Sequence, residues 1–242
     1  MEQMVNLKYI FSSLPTLVTF LFAMSGIHFL LYNKSPKYYL FIMKLFSRWK
    51  DNNWNMSAIY KLEANINFFK EFENVLKDIY GANSYRKRVN LQNKKLYEFS
   101  VFSLIVQSNL DVVESSPIKV ELHFNGINVT YKNSNERLEE LQRIFHKLEE
   151  RLNFNDKTYD LKIKFGSNFH NPFYGVAIRH LGEKHVRDFE CSFSVDVFDI
   201  RHNQNTNNDE NREVHVFKDC IDINNNDFDI VKSCARKCLL LE

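Results

Sequence analysis

Glycine, proline and cysteine are all scarce in this chain of 242 residues, which contains 6 Gly, 4 Pro and 4 Cys. So few glycines argue against collagen-like, propeller-like or glycine-rich phosphate-binding chains, and neither G-x-x-x-x-G-K-[ST] nor G-x-G-x-x-G occurs. The cysteines all lie in the last quarter of the sequence, and none forms a C-x-x-C pair. We therefore expect reduced, mostly buried thiols in a reducing compartment instead of a disulfide framework.

An excess of charge of one sign is also lacking, because the formal net charge is only +2. The chain thus has no global basic signature of a nucleic-acid binder, and any such site must be local. Hydrophobic residues make up 44% and charged residues 26% of the chain. This composition permits a buried core and argues against global disorder.

Charged residues are absent from residues 10–32, IFSSLPTLVTFLFAMSGIHFLLY. A helix of about 20 apolar residues spans the hydrocarbon core of a bilayer, so this segment predicts a single transmembrane helix. Five cations, the last of them Lys50, follow the segment before the first acid, Asp51. The positive-inside rule then puts the C-terminal domain in the cytoplasm. A buried helix of a soluble protein and a cleaved signal peptide remain as alternatives.

Residues 38–49, YYLFIMKLFSRW, are too few to span a bilayer. Apolar residues interleaved with cations predict an amphipathic helix on the inner membrane surface. The side chains expected to face anionic lipid are Lys34, Lys37, Lys44 and Arg48. Residues 1–50 are therefore expected to form a membrane anchor with a basic juxtamembrane segment, and residues 51–242 a cytoplasmic domain.

Hydrophobic periodicity in the rest of the chain predicts an α+β fold with a mainly antiparallel sheet and about three helices. A helix followed by a strand meander occurs twice, which suggests a duplicated helix-plus-meander unit with one sheet face left open. Residues 82–95 and 201–212 are expected to be polar loops. The predicted helices are 66–80, 136–152 and 226–240, and the predicted strands are 54–65, 96–107, 118–124, 127–131, 159–165, 173–180, 187–199 and 213–218.

The strongest local signal is Asn125-Gly126, which stands between two stretches of alternating apolar residues. A two-residue Asn-Gly turn would pair position 124 with 127, 122 with 129 and 120 with 131. All of these pairs join apolar residues. The pattern therefore predicts a β-hairpin with its turn at Asn125-Gly126.

The densest basic patch follows the first predicted helix and lies close to tyrosines. Cations beside aromatic rings suit single-stranded nucleic acid or a nucleotide, and they equally suit anionic lipid. Most charge runs of this kind are only solvated surface. The candidate ligand-binding residues are Tyr85, Arg86, Lys87, Arg88, Lys94 and Lys95.

Catalytic motifs are missing from the sequence. His180 and His185 depart from the spacing of H-E-x-x-H and H-x-x-E-H, and no G-x-S-x-G occurs. Glu190 and Asp196 share parity on one predicted strand and could line a carboxylate-rich site. We predict no catalytic residue, metal or cofactor.

The function that these observations favour is a membrane-anchored, non-enzymatic adaptor, sensor or structural subunit. It would act with another protein or as a homo-oligomer. One alternative is a cytoplasmic sensor that binds nucleotide, nucleic acid or anionic lipid through residues 85–95, with neither nucleotide nor nucleic acid favoured. The other is a metal-dependent hydrolase.

Overall fold

Two helices precede the sheet, and after them helices alternate with single strands or with groups of consecutive strands. The computed structural model describes residues 23–49, 54–64, 68–81, 83–108, 118–130, 132–151, 156–166, 171–186, 188–194 and 213–239. The described part of α1 covers residues 23–34, and α2 is Pro36–Trp49. The later helices are α3 (Phe68–Tyr80), α4 (Ser134–Arg151), α5 (Pro172–Leu181), a 3₁₀ turn (Glu183–His185) and α6 (Phe228–Cys238).

The strands form one antiparallel sheet, which confirms the predicted α+β class. They are β1 (Trp54–Ala64), β2 (Tyr85–Asn90), β3 (Lys94–Phe99), β4 (Ser103–Ser108), β5 (Ile118–Val129), β6 (Lys157–Lys164), β7 (Glu190–Ser194), β8 (Glu213–Phe217) and β9 (Cys220–Asn225). Their order in the sheet is β2-β3-β4-β5-β1-β6-β9-β8-β7. Strands β1 and β6 lie side by side at the centre. Each is followed by a helix and then by a meander whose last strand returns beside it.

The core lies on the face of the sheet that the helices cover. Alternate residues of β1 point into it, and helices α3, α4 and α6 supply apolar side chains from the other side, as their helical periodicity predicts. Tyr60 stacks on Tyr159 with ring centroids 4.6 Å apart, and Phe145 and Phe228 complete an aromatic cluster at the middle of the core. Aromatic pairs of this geometry add about 0.5–1.5 kcal/mol each beyond their area burial.

The opposite face of the sheet, called here the open face, carries polar side chains. It is defined by the residues of the central strands that alternate with the buried ones. They include Ser57, Lys61, Glu121, Asp160, Lys162 and Asp222, all of them exposed or half-buried.

The hairpin predicted at Asn125-Gly126 is wrong. Strand β5 continues through both residues along β1, with Met56 opposite Ile127 and Ala58 opposite Phe124. Two residues of β5 therefore lie opposite one residue of β1, which is a β-bulge. Gly126 has a φ of 70°, a conformation that favours glycine. Because the bulge inserts one extra residue, apolar residues on both sides of it still face the core, as a hairpin would also require.

The strand predicted over residues 173–180 is also wrong, because the segment forms α5. Its aromatic and β-branched residues favour a strand locally, but the residues before them start a helix. Asn171 is the N-cap and its Oδ1 accepts a hydrogen bond from the Tyr174 backbone N–H at 2.8 Å, while Pro172 occupies the first turn. The described part of residues 51–242 thus has four α-helices, one more than predicted.

Three further strand assignments need correction. The loop predicted over residues 82–95 contains β2 and the start of β3, which pair as a hairpin. The single strand predicted over 96–107 is two strands, β3 and β4, which meet at a tight turn. Strand β9 was not predicted, because its cluster of Asp and Asn is typical of loops.

Candidate functional site

The predicted basic patch lies on the β2–β3 hairpin, and part of it is paired within the fold. The Nζ atoms of Lys87 and Lys95 lie 2.6 Å and 3.0 Å from the Glu73 carboxylate of α3, and the Tyr97 hydroxyl donates to the same carboxylate at 2.9 Å. Burial opposes ionisation of Glu73, but the hydrogen bonds from Lys87, Lys95 and Tyr97 outweigh it and lower its pKa to about 2. These two lysines therefore fasten α3 to the sheet.

The other residues of the patch differ in their contacts. Arg88 lies 2.6 Å from Glu98, and the Tyr85 ring packs against Tyr97. Within the described residues, Arg86 and Lys94 are exposed and take part in no ion pair. The structure thus leaves two exposed, unpaired cations where the sequence suggested a cluster of five.

The N-terminal helices expose an unusual amount of apolar side chain. Phe29 of α1 is 70% exposed and Phe41 of α2 is 60% exposed. Large exposed apolar patches mark interaction surfaces on proteins. We call the set the apolar surface: Met24, Ile27, Phe29, Leu30, Leu31, Phe41 and Leu45.

Cations lie at the turn between these two helices. Lys34 and Lys37 are both exposed there, next to the apolar surface. The side chains of Lys44 and Arg48, which the sequence also predicts to face lipid, lie outside the described residues.

A second face of α2 packs against α5. Tyr39 and Ile42 are buried on this face. The Tyr39 hydroxyl comes so close to Gly175 that a Cβ atom on that residue would lie 1.9 Å from it. Only glycine therefore permits this packing, and the contact fixes where α2 lies on the domain.

Arg179 of α5 strengthens the attachment. Its guanidinium carbon lies 3.9 Å from the centre of the Tyr32 ring and 5.0 Å from that of Tyr39, and it donates a hydrogen bond to Asn33 at 3.1 Å. Cation–π contacts of this kind contribute about 0.5–2 kcal/mol. One side chain thus holds both N-terminal helices.

Helix α5 is in turn fixed to the sheet. The Asn171 side-chain amide donates to the carbonyl oxygens of Phe217 and Lys218, at the turn between β8 and β9. The Phe173 ring packs on Phe193 of β7 with centroids 5.4 Å apart. A continuous set of contacts therefore joins the apolar surface to the β7–β9 side of the sheet.

The open face is held together by ion pairs between neighbouring strands. Lys61 of β1 lies 2.8 Å from Asp160 of β6, and Lys162 of β6 lies 2.9 Å from Asp222 of β9. Cations and acids alternate across the face, so it lacks the uniform positive potential that a nucleic-acid surface requires. A shallow cleft of about 200 Å³ lies at the centre of the sheet, where the last residues of β1 meet the first residues of β5 and β6.

Groups suited to metal or thiol chemistry do not come together. In the ranges that the structure describes, no three His, Cys, Asp or Glu side chains are arranged to hold a metal ion. Glu190 is exposed on β7, and Asp196 lies outside those ranges. The four cysteines are free and mostly buried, as predicted, and burial raises the pKa of Cys238 to about 12. Its thiol is therefore inert at neutral pH.

Among the described residues, no helix has both the length and the hydropathy needed to cross a bilayer. Residues 10–22 of the predicted span lie outside the description, so the transmembrane helix stays a prediction. Comparisons with protein-family models, curated proteins and solved structures find no match to this chain. The contacts of Tyr39 and Arg179 with their partners were missed by sequence reasoning, since they join residues far apart in the chain.

Proposed function

We propose that this protein is a membrane-attached, non-enzymatic adaptor or structural subunit, and that its sheet domain binds a partner protein. The observation that carries the proposal is the apolar surface of α1 and α2, which lies beside Lys34 and Lys37. In the sequence it is preceded by residues 10–22, which contain no charged residue. An apolar segment followed by cations is the pattern of a chain attached to an anionic inner leaflet.

The energies favour attachment. Full burial of one large apolar side chain contributes about 1.5–3 kcal/mol, and the side chains of the apolar surface, which are 37–70% exposed, would each gain the corresponding part of this. Each cation near an anionic membrane adds about 1 kcal/mol. These contributions act together, as stable attachment requires, because a single lipid chain alone gives only marginal, reversible binding.

We further propose that the domain descends from a duplicated helix-plus-meander unit. The first unit would be β1, α3, the meander β2–β5 and α4. The second would be β6, α5, the meander β7–β9 and α6. Support comes from the sheet order, in which each meander returns to the outer side of its own central strand. A doubled, motif-poor platform suits binding of a macromolecule better than catalysis.

The alternative of a ligand sensor at residues 85–95 has less support. Lys87 and Lys95 are engaged with Glu73, and Arg88 with Glu98. A ligand would have to bind through Arg86 and Lys94 alone or displace internal ion pairs.

Alkaline-carbonate extraction of cell membranes tests the proposal. We expect the full chain to stay in the membrane pellet, and a Phe41→Ser, Leu45→Ser variant to be extracted more readily. The matched control is Leu91→Ser with Leu181→Ser, because these leucines are 58% and 59% exposed but lie elsewhere. Release of the unaltered chain by carbonate would refute a membrane span, and equal extraction of both double variants would refute attachment through this surface.

A further inference from the structure

We propose that α2 lies between the domain and the bilayer, so that the helix-covered side faces the membrane and the open face is turned toward the aqueous phase to receive the partner protein. This orientation rests on the proposed membrane attachment. To that attachment it adds which side of the domain faces the membrane and which side faces the partner protein.

Helix α2 has two apolar faces, one exposed and one packed on the domain. Lys37, Phe41 and Leu45 recur at spacings of four residues, so they share one face of the helix. Tyr39 and Ile42 lie on another face, which packs on the domain through Gly175. Lipid is the occupant that fits the first face, because its exposed apolar side chains lie beside exposed Lys37 and Lys34. The second copy of this chain is the competing occupant.

The position of α5 fixes the side of the sheet on which α2 lies. Phe173 of α5 contacts Phe193 of β7, and Phe193 pairs with Val214 of β8. Val214 is fully buried in the core, so all three side chains belong to the helix-covered side. Because α2 packs on α5, α2 also lies on that side.

The open face is suited to water and to a protein partner. Its two central ion pairs involve side chains that are between 27% and 47% exposed. Contact with hydrocarbon would remove water from these charges, and the cost is several kcal/mol per ion. A partner protein with charges of both signs could instead complement them, with binding that weakens as salt is added.

Fluorescence quenching on vesicles tests the orientation with the full chain. An environment-sensitive fluorophore is attached to a single added cysteine in Phe41→Cys, Arg143→Cys or Lys162→Cys, each in a Cys191→Ala background because Cys191 is only half-buried. These report α2, the exposed surface of α4 and the open face. Vesicles contain equal parts of phosphatidylcholine and phosphatidylserine, with a nitroxide either on the acyl chain or on the headgroup. Labelled variants are first checked for an unchanged thermal unfolding transition.

We expect acyl-chain nitroxide to quench the label at position 41, and headgroup nitroxide to quench position 143 more than position 162. Quenching at 162 equal to or stronger than that at 143 would overturn the orientation while leaving membrane attachment intact. Absence of vesicle binding by any variant would overturn the attachment itself. A dimer in solution in which the label at position 41 is shielded without lipid would identify a second copy as the occupant and would also overturn the proposal.

Discussion

Replacing Gly175 by alanine tests the packing of α2 on α5, because the added methyl group would clash with Tyr39 of α2. The added Cβ would lie 1.9 Å from the Tyr39 hydroxyl oxygen and 2.9 Å from the ring carbon that bears it. Contacts this short force Tyr39 to move. In the interior of a helix, alanine is by itself more stable than glycine by about 0.5–1 kcal/mol. Any loss of stability in Gly175→Ala therefore reports the contact with α2.

The expected size follows from two opposing effects. Forcing an extra methyl into a packed site costs about 1–3 kcal/mol, and displacing buried Tyr39 also loses part of the roughly 1.5–3 kcal/mol of its burial. Subtracting the gain in helix propensity leaves a net destabilisation of about 1–2 kcal/mol for the docked state. This corresponds to about a five- to thirtyfold larger population in which α2 is detached.

A double-mutant cycle with Tyr39→Ala isolates the contact. We expect Gly175→Ala to increase proteolytic cleavage within residues 23–49 when Tyr39 is present, and to be neutral or protective in the Tyr39→Ala background. Gly26→Ala is the matched control, because its added Cβ meets nothing within 4 Å and α1 should only be stabilised. Equal or greater resistance of Gly175→Ala with Tyr39 intact would refute the packing of α2 on α5.

Two further substitutions test the sheet and its fastening to α3. The pKa of Glu73 is lowered from 4.5 to about 2, so its ionised form stabilises the fold above pH 4.5 and this contribution disappears as the pH falls toward 2. Partial exposure reduces the contribution to about 1–2 kcal/mol. In urea unfolding, Glu73→Gln should therefore lose less stability between pH 5 and pH 3 than the unaltered protein. An identical loss in both proteins would show that Glu73 is not its source. Gly126→Ala should destabilise by about 1 kcal/mol through its left-handed backbone alone, since its added Cβ meets nothing within 4 Å. Asn125→Ala is the comparison, and a stabilised Gly126→Ala in calorimetry would contradict the bulge.

Local periodicity was sufficient to predict the helices and strands that have one buried face and one face exposed to water. The stripes of α3, α4 and α6 follow the 3.6-residue period, and β1 and β6 alternate with period two, because each packs one face on the same core. It failed where the same pattern fits two structures. At Gly126 a hairpin and a bulge place the flanking apolar residues identically, and only pairing with β1 distinguishes them.

Much of the candidate site could not be predicted from the sequence, because it depends on contacts between residues far apart in the chain. The membrane surface inferred from the uncharged run and its cations stays a prediction; the structure shows only that Phe41 is exposed. Residues of β2 and β3, however, looked like a cationic cluster because Glu73, which neutralises two of them, belongs to a helix. The glycine that admits Tyr39 sat in a segment whose composition favours a strand, so nothing local marked it as an interface.

Helix α5 connects the N-terminal helices to the β7–β9 side of the sheet. Arg179 holds both N-terminal helices, and Asn171 at the start of the same helix binds the β8–β9 turn. Helix α5 has only 10 residues and contacts both α2 and the β8–β9 turn, so a shift of α2 relative to the domain must either break the Tyr39 contact or displace α5 against the β7–β9 side of the sheet. Because the ion pair of Lys162 with Asp222 reaches β9 on the open face, that side is also part of the surface proposed to bind the partner. The proposed membrane attachment and the proposed partner binding together predict coupling through α5, which Gly175→Ala should weaken without altering any residue of the open face.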